Sequence, residues 1–225
     1  MRILTWSPGH ALFGQPYEMG NLACDLARFG RMIRGELEPK PSQLRTWATH
    51  HDLASLVKTG EPLACDIETA PANSAEPWTG KDPTRAKLKT IGFGTCMEAL
   101  SIYWPDADET TQLMVREVLA DAAVKKVFHN GPWFDHRVLN RYGLPTTNFD
   151  DTRDMRRVLS STSRLSLLYL GSIYTDFHNW KDAEEDEEKT WESTDLEKLM
   201  LYNALDCIVT ARVYRGILRD WEAAE

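Results

Sequence analysis

The 225 residues carry 42% apolar and 27% charged side chains, which suits a folded domain with a sizeable core and excludes both a disordered chain and a large multidomain enzyme. A formal charge of −8, from 34 acidic against 26 basic residues, argues against binding nucleic acid by global charge alone, yet leaves room for an enzyme whose carboxylates are neutralised by cations. No apolar run approaches the roughly 18 residues needed to cross a bilayer, and the opening MRILTWSPGH lacks a basic segment followed by an apolar one, so a cytoplasmic protein is expected.

Residues 1–60 read as an extension of largely helical character. Glu18 to Gly35 and Pro41 to Lys58 suit helices, parted by the polar, proline-bearing stretch Glu36 to Pro41. The first sixteen residues carry Gly and Pro without periodicity and read as an arm or a partner contact. A second unit, residues 61–225, begins with a change of texture. Leu63 to Glu68 reads as a strand, and Lys89 to Cys96 and Ala99 to Trp104 as two more, joined into a hairpin at Met97-Glu98. Thr110 to Ala123 places Leu113, Met114, Val118 and Leu119 at helical spacing, and Lys125 to His129 reads as another strand.

Helices then follow at Phe134 to Tyr142, Asp151 to Ser160, Leu165 to Ile173 and Thr194 to Trp221. For the last, Ser193 or Thr194 is the expected cap, with Glu197 completing a capping box. Early strands followed by alternating strands and helices predict an α/β fold, a sheet layered with helices. The acidic run Lys181 to Lys189 reads as a solvated loop, or as a device that repels misplaced phosphate. Cys24, Cys65, Cys96 and Cys207 lie far apart with no zinc-ligand spacing, so they read as reduced and mostly buried thiols.

Asp66 and Glu68, two apart on a strand, emerge on one face, while Leu63, Cys65 and Ile67 supply the opposite apolar face. Two acids turned toward a core are costly unless paired or bound to metal. An exposed, salt-bridged strand would show the same pair. Tyr202 and Asp206, four apart, project from one face of the terminal helix, where a half-buried Tyr beside a solvent-facing Asp is the plainer alternative. Val127 to Asp135 runs from a strand through a Gly131-Pro132 turn into a helix, and Asp135 falls in the first turn, where the helix dipole favours a carboxylate. Four acids without a histidine cluster suit Mg²⁺ or Mn²⁺ better than zinc.

In these residues the sequence resembles the DEDD superfamily of 3′→5′ exonucleases, in its tyrosine-bearing branch. Asp66-Ile67-Glu68 resembles the first motif, Asn130 to Asp135 the second, and Tyr202-Asn203-Ala204-Leu205-Asp206 the third. The nearest likeness is to the proofreading domain of family A DNA polymerases, particularly phage replicative ones, and it covers about Leu63 to Tyr214. Asn130 stands five positions before Asp135, one more than in the bacterial polymerase I pattern, and Phe134 stands where many relatives have Tyr.

The resemblance implies an RNase H-like fold and two divalent cations, Mg²⁺ or Mn²⁺, held by Asp66, Glu68, Asp135 and Asp206, with Tyr202 positioning the attacking water. Thr69, Asn130 and Phe134 are the implied contacts to the terminal nucleotide, and the implied partner is a nucleic acid 3′ end, DNA preferred. With no polymerase region after the last helix, a free-standing exonuclease or a separate proofreading subunit for DNA replication is expected, located in the host cytoplasm if phage-encoded. An RNase D-type RNA exonuclease would use the same residues, and a catalytically silent binding module is the non-enzymatic alternative. Lys81, Arg85, Lys87 and Lys89 form one candidate basic patch and Arg153, Arg156 and Arg157 another; His129 reads as packing at a strand end.

Overall fold

The computed structural model describes residues 26–73, 75–160, 164–177 and 195–223. Six strands build one sheet in the order β1-β4-β3-β2-β5-β6: β1 (Gln43–Arg45), β2 (Leu63–Ala70), β3 (Lys87–Gly94), β4 (Glu98–Tyr103), β5 (Lys126–Phe128) and β6 (Phe149–Asp151). The central β2, β3 and β4 pair antiparallel, whereas β1 on β4, β5 on β2 and β6 on β5 pair parallel. The helices are α1 (residues 26–34), α2 (His50–Val57), α3 (Glu109–Ala120), α4 (Asp135–Arg141), α5 (Thr152–Leu159), α6 (Leu167–Tyr174) and α7 (Leu196–Glu222). This is the mixed sheet flanked by helices that the sequence predicts. Among the described residues no helix is long and apolar enough to cross a membrane.

Alternation along β2 divides the interior. Leu63, Cys65 and Ile67 join Ile91 and Phe93 of β3 and Leu53, Val115 and Leu119 of α2 and α3 in one cluster. Ala64 faces the other way, among Ala204, Cys207 and Ile208 of α7. That helix packs against every strand from β1 to β5, and a third cluster, including Val127, Leu170, Val209 and Val213, seats α6 against it. Two glycines of β3 set how closely α7 lies on the sheet. A Cβ on Gly92 would fall 2.7 Å from both Asn203 Oδ1 and Cys207 Sγ, and one on Gly94 would fall 2.9 Å from Cys207 Cβ. Any side chain there would push the helix outward and loosen the packing.

Several expectations need correction. The helix expected over Pro41 to Lys58 is two elements, because Gln43 to Arg45 is drawn into the sheet as an edge strand beside Glu98 to Leu100. Trp47 then turns the chain at a left-handed φ of 52°, and a capping box between Thr49 and Asp52 starts α2. β6, unseen in the sequence, occupies the residues just before α5. The cap of α7 is Asp195, whose side chain accepts from the Lys198 N–H. Ser193 and Thr194 lie outside the described residues. Glu197 makes no capping box; it accepts from Thr46 Oγ1 at 2.5 Å and Trp47 Nε1 at 2.7 Å, tying the start of α7 to the β1–α2 connection.

The described part of the N-terminal region is also fastened down. Arg28 donates to the Ser172 and Thr175 carbonyls, and Arg31 pairs with Asp176 at 2.9 Å. Arg212 of α7 reaches Glu38 at 3.1 Å and the Pro39 carbonyl at 2.8 Å. Cys65, Cys96 and Cys207 are free and buried, as expected. Cys24 and the acidic run lie outside the described residues.

Candidate functional site

The alternation that buries Cys65 and Ile67 turns Asp66 and Glu68 toward α7, and the close seat of that helix on Gly92 brings Asp206 to them. Ligand oxygens of Asp66, Glu68 and Asp206 all lie within 4.8 Å of one another. Burial pushes the Asp66 carboxyl well above its ordinary range, and the charges of Glu68, Asp206 and Asp135 push it further, while a hydrogen bond from Asn203 acts in the opposite sense. Acids that raise one another in this way form a set that a cation would relieve. Their donors are all carboxylate oxygens, which fits a hard divalent ion. Asp206 is 5% exposed, so the plainer alternative of a solvent-facing Asp fails.

Asp135 reaches the site differently and stands outside that three-acid cluster. The pairing of β2 with β5 is recorded at Leu63 with Lys126 and Ala64 with Val127, after which the chain leaves the sheet toward α4. The backbone N–H of Ile67, the residue between Asp66 and Glu68, acts on the Asp135 carboxyl in the direction of a lower pKa. Asp135 is 8% exposed, and burial raises its pKa to about 7, with the Asp151 charge adding to the rise.

The loop that delivers Asp135 is held by residues that the sequence reading gave no site role. Asn130 adopts a left-handed φ of 68°, which Asn tolerates, and Gly131–Trp133 form a single 3₁₀ turn. Asp151, at the end of β6, caps α5 through the N–H groups of Arg153 and Asp154 and also accepts from the Gly131 N–H at 2.8 Å. Thr152 Oγ1 lies 2.9 Å from His129 Nδ1 and donates to the Phe128 carbonyl at 3.2 Å. Arg153 donates to Asn130 Oδ1. The usable signal was Asp151 itself, an acid at the start of an expected helix.

Tyr202 is half-buried one turn before Asp206 and packs at the margin of the α6–α7 cluster. The three residues expected at the terminal nucleotide have differing surroundings. Thr69 is buried, and its hydroxyl donates to the Gly80 carbonyl at 2.8 Å, anchoring the loop after β2. Asn130 has Oδ1 engaged by Arg153. Phe134 is half-buried against the β2–β3 core, while its neighbour Trp133 is exposed.

The two basic patches largely resolve into internal ties. Arg85 pairs with Glu76 at 2.5 Å and lies over the Trp78 ring, Arg156 donates to the Tyr174 hydroxyl at 2.8 Å, and Arg157 pairs with Asp154 at 3.8 Å. Lys89 differs. Beside the register irregularity at Glu68/Thr69 it is half-buried, and burial lowers its pKa against the pull of the Glu68 charge. Of the first candidate patch, it is the cation on which the charge of Glu68 acts.

The profile of the 3′-5′ exonuclease family matches residues 43–222. No curated protein sequence matches the chain. Among solved structures, Escherichia coli RNase D, described as an exoribonuclease involved in structured RNA processing, has a TM-score of 0.62 at 17% identity, over 80% of this chain and 45% of its own. The catalytic core of RRP6 from Trypanosoma brucei has a TM-score of 0.61 at 20% identity, over 80% of this chain and 48% of its own. Brucella melitensis NrnC has a TM-score of 0.58 at 18% identity, over 81% of each chain, and is also known bound to pGG. The chain therefore spans less than half the length of the RNase D and RRP6 chains. What these structures share with it is the α/β fold of RNase H-like exonucleases.

Proposed function

Because the chain belongs to the 3′-5′ exonuclease family, we propose that it removes nucleotides one at a time from the 3′ end of single-stranded DNA or a frayed primer, releasing nucleoside 5′-monophosphates. The convergence of Asp66, Glu68 and Asp206 carries this reading. Two divalent cations, Mg²⁺ or Mn²⁺, are assigned to Asp66, Glu68, Asp135 and Asp206; when bound they supply positive charge at the scissile phosphate and lower the pKa of coordinated water.

The chain's own residues do the rest. The charges of Glu68, Asp206 and Asp135 all act on Asp66, which would hold a cation together with them. Tyr202, one turn before Asp206, holds the attacking water by its hydroxyl. As the water oxygen bonds to phosphorus, the bond from phosphorus to the 3′ oxygen of the preceding nucleotide breaks. That oxygen leaves as a hydroxyl after gaining a proton, and the proton lost by the water passes to solvent. Asn130, held by Arg153, and the exposed Trp133 precede Asp135 in the same loop and would meet the terminal nucleotide, whose base an aromatic face can stack without regard to sequence.

RNA is a second reading, supported by the described role of E. coli RNase D and by the likeness to RRP6. The deciding experiment incubates the full chain with single-stranded DNA and RNA, in Mg²⁺ or EDTA, and follows monophosphate release. Preferential digestion of DNA in Mg²⁺ is expected. Preferential digestion of RNA would replace the first reading by the second, and no metal-dependent release from either would overturn both.

A further inference from the structure

Asn203 lies inside the third motif, yet the reading above gives it no task. Its side chain is fully buried and spans two strands. Nδ2 donates to Asp66 Oδ2 at 2.8 Å, and Oδ1 accepts from the hydroxyl of Ser101, also fully buried, at 2.7 Å. The register explains how one amide reaches both. Asp66 of β2 pairs with Gly92 of β3, and Gly92 pairs with Ser101 of β4, so the three stand in one row across the sheet. Directly paired residues share a face. Gly92, in the middle, has no side chain, and Asn203 lies in that gap, where a Cβ would come within 2.7 Å of its Oδ1.

We infer that Asn203, oriented by Ser101, is a positioning residue that fixes the Asp66 carboxylate for cation binding. This rests on the assignment of Asp66 as a metal ligand. The orientation of the amide follows from its neighbours: a reversed amide would set its carbonyl oxygen against the Asp66 carboxylate, and the Ser101 hydroxyl donates to Oδ1 in the arrangement that avoids this. The amide N–H takes one lone-pair direction of Oδ2 and restrains rotation of the carboxylate. Oδ1 and the remaining lone pair of Oδ2 are left for a cation shared with Glu68 and Asp206. Partners that orient metal ligands in this way commonly contribute about 10–100-fold to metal affinity or activity.

The test is Mn²⁺ binding to the full chain by calorimetry, for wild type, Asn203→Leu, Ser101→Ala, the double variant and Asp66→Ala. Asn203→Leu, close in size but unable to donate, should weaken Mn²⁺ binding about 10–100-fold. Ser101→Ala, which leaves the amide in place but unoriented, should weaken it less. The double variant should bind no worse than Asn203→Leu alone, because the two residues act in series. In hydrolysis assays the half-saturating metal concentration should rise in step while KM for the oligonucleotide stays constant. If Asn203→Leu does not fold, Ser101→Ala decides by the same measurements. Wild-type Mn²⁺ affinity in both single variants, with or without a lower Tm, would overturn the inference, as would additive losses in the double variant. Wild-type affinity in Asp66→Ala would instead overturn the metal-site assignment itself.

Discussion

Two regions supply the acids, and they are built on opposite principles. Asp66, Glu68 and Asp206 sit on the central strand and the longest helix, pressed together over Gly92 and Gly94, so their convergence is a consequence of core packing. Asp135 comes from a loop with a left-handed Asn130 and a single 3₁₀ turn, tied down where Asp151 accepts from the Gly131 N–H, Thr152 donates to the Phe128 carbonyl and Arg153 donates to Asn130. Packing holds a site within tenths of an ångström, whereas a loop restrained by several polar contacts loses position when one is cut. Substitutions in the two regions should therefore differ in kind.

The largest effect should come from the packed region. Asp66→Ala and Asp206→Ala should each lower hydrolysis at least about a thousandfold, since each removes a ligand from the charge-stabilising cations. Metal-free Tm should hold or rise, because each also relieves mutual repulsion among buried acids. Near-normal turnover in a pure preparation of either would dismantle the assigned site. Tyr202→Phe comes next: losing one hydroxyl while keeping the ring should cut single-turnover cleavage about 10–100-fold, with KM little changed. An unchanged rate would leave Tyr202 as a packing residue.

The loop region should respond more gently. Asp151→Asn keeps the shape but weakens the hold on the Gly131 N–H and the cap of α5, so activity should fall about tenfold with a small loss of stability. Unlike the acid ligands, it should act partly through KM, since Asn130 and Trp133 move with the loop. A loss confined to kcat, with KM at the wild-type value, would show that the brace matters for Asp135 alone.

The same contrast governs what the sequence disclosed. Period-two alternation around Asp66 and Glu68 and the apolar spacing of α7 are local signals, so β2, the hairpin and the terminal helix were legible, as were the motif acids. β1 and β6 were not. Each has 3 residues, and each is a strand because a partner distant in the chain is waiting beside it. The start of α2 was signalled by Thr49 and Asp52, a capping pair overlooked inside a stretch read as continuous helix. Glu197 misled in the opposite direction, since its cap spacing was genuine but Thr46 and Trp47 claimed the carboxylate. Asn203 stood in plain view within the third motif, and its task became visible only when Gly92 and Ser101 were aligned across the sheet.

The smallest effect is a dependence of stability on pH, and it separates the two regions without any substrate. Burial raises Asp135 from its ordinary 3.8 to about 7, so between those pH values the folded, metal-free chain keeps a proton that the unfolded chain has released. The contribution of Asp135 to stability should therefore fall as pH rises from about 4 to about 7 and level off above, because there the folded state must carry the buried charge. Asp135→Asn removes this liability while preserving shape. In EDTA its Tm should exceed wild type by about 10 °C at pH 8, given about 1.4 kcal/mol for each pH unit between those values and roughly 2–4 °C per kcal/mol in a domain of this size, and by clearly less at pH 5. Adding Mn²⁺ should erase or reverse the advantage at pH 8, since the cation then stabilises the carboxylate and Asn offers it a poorer ligand. An equal Tm difference at both pH values would mean that the Asp135 carboxyl titrates near its ordinary value, and that the hydrogen bonds of the loop outweigh its burial.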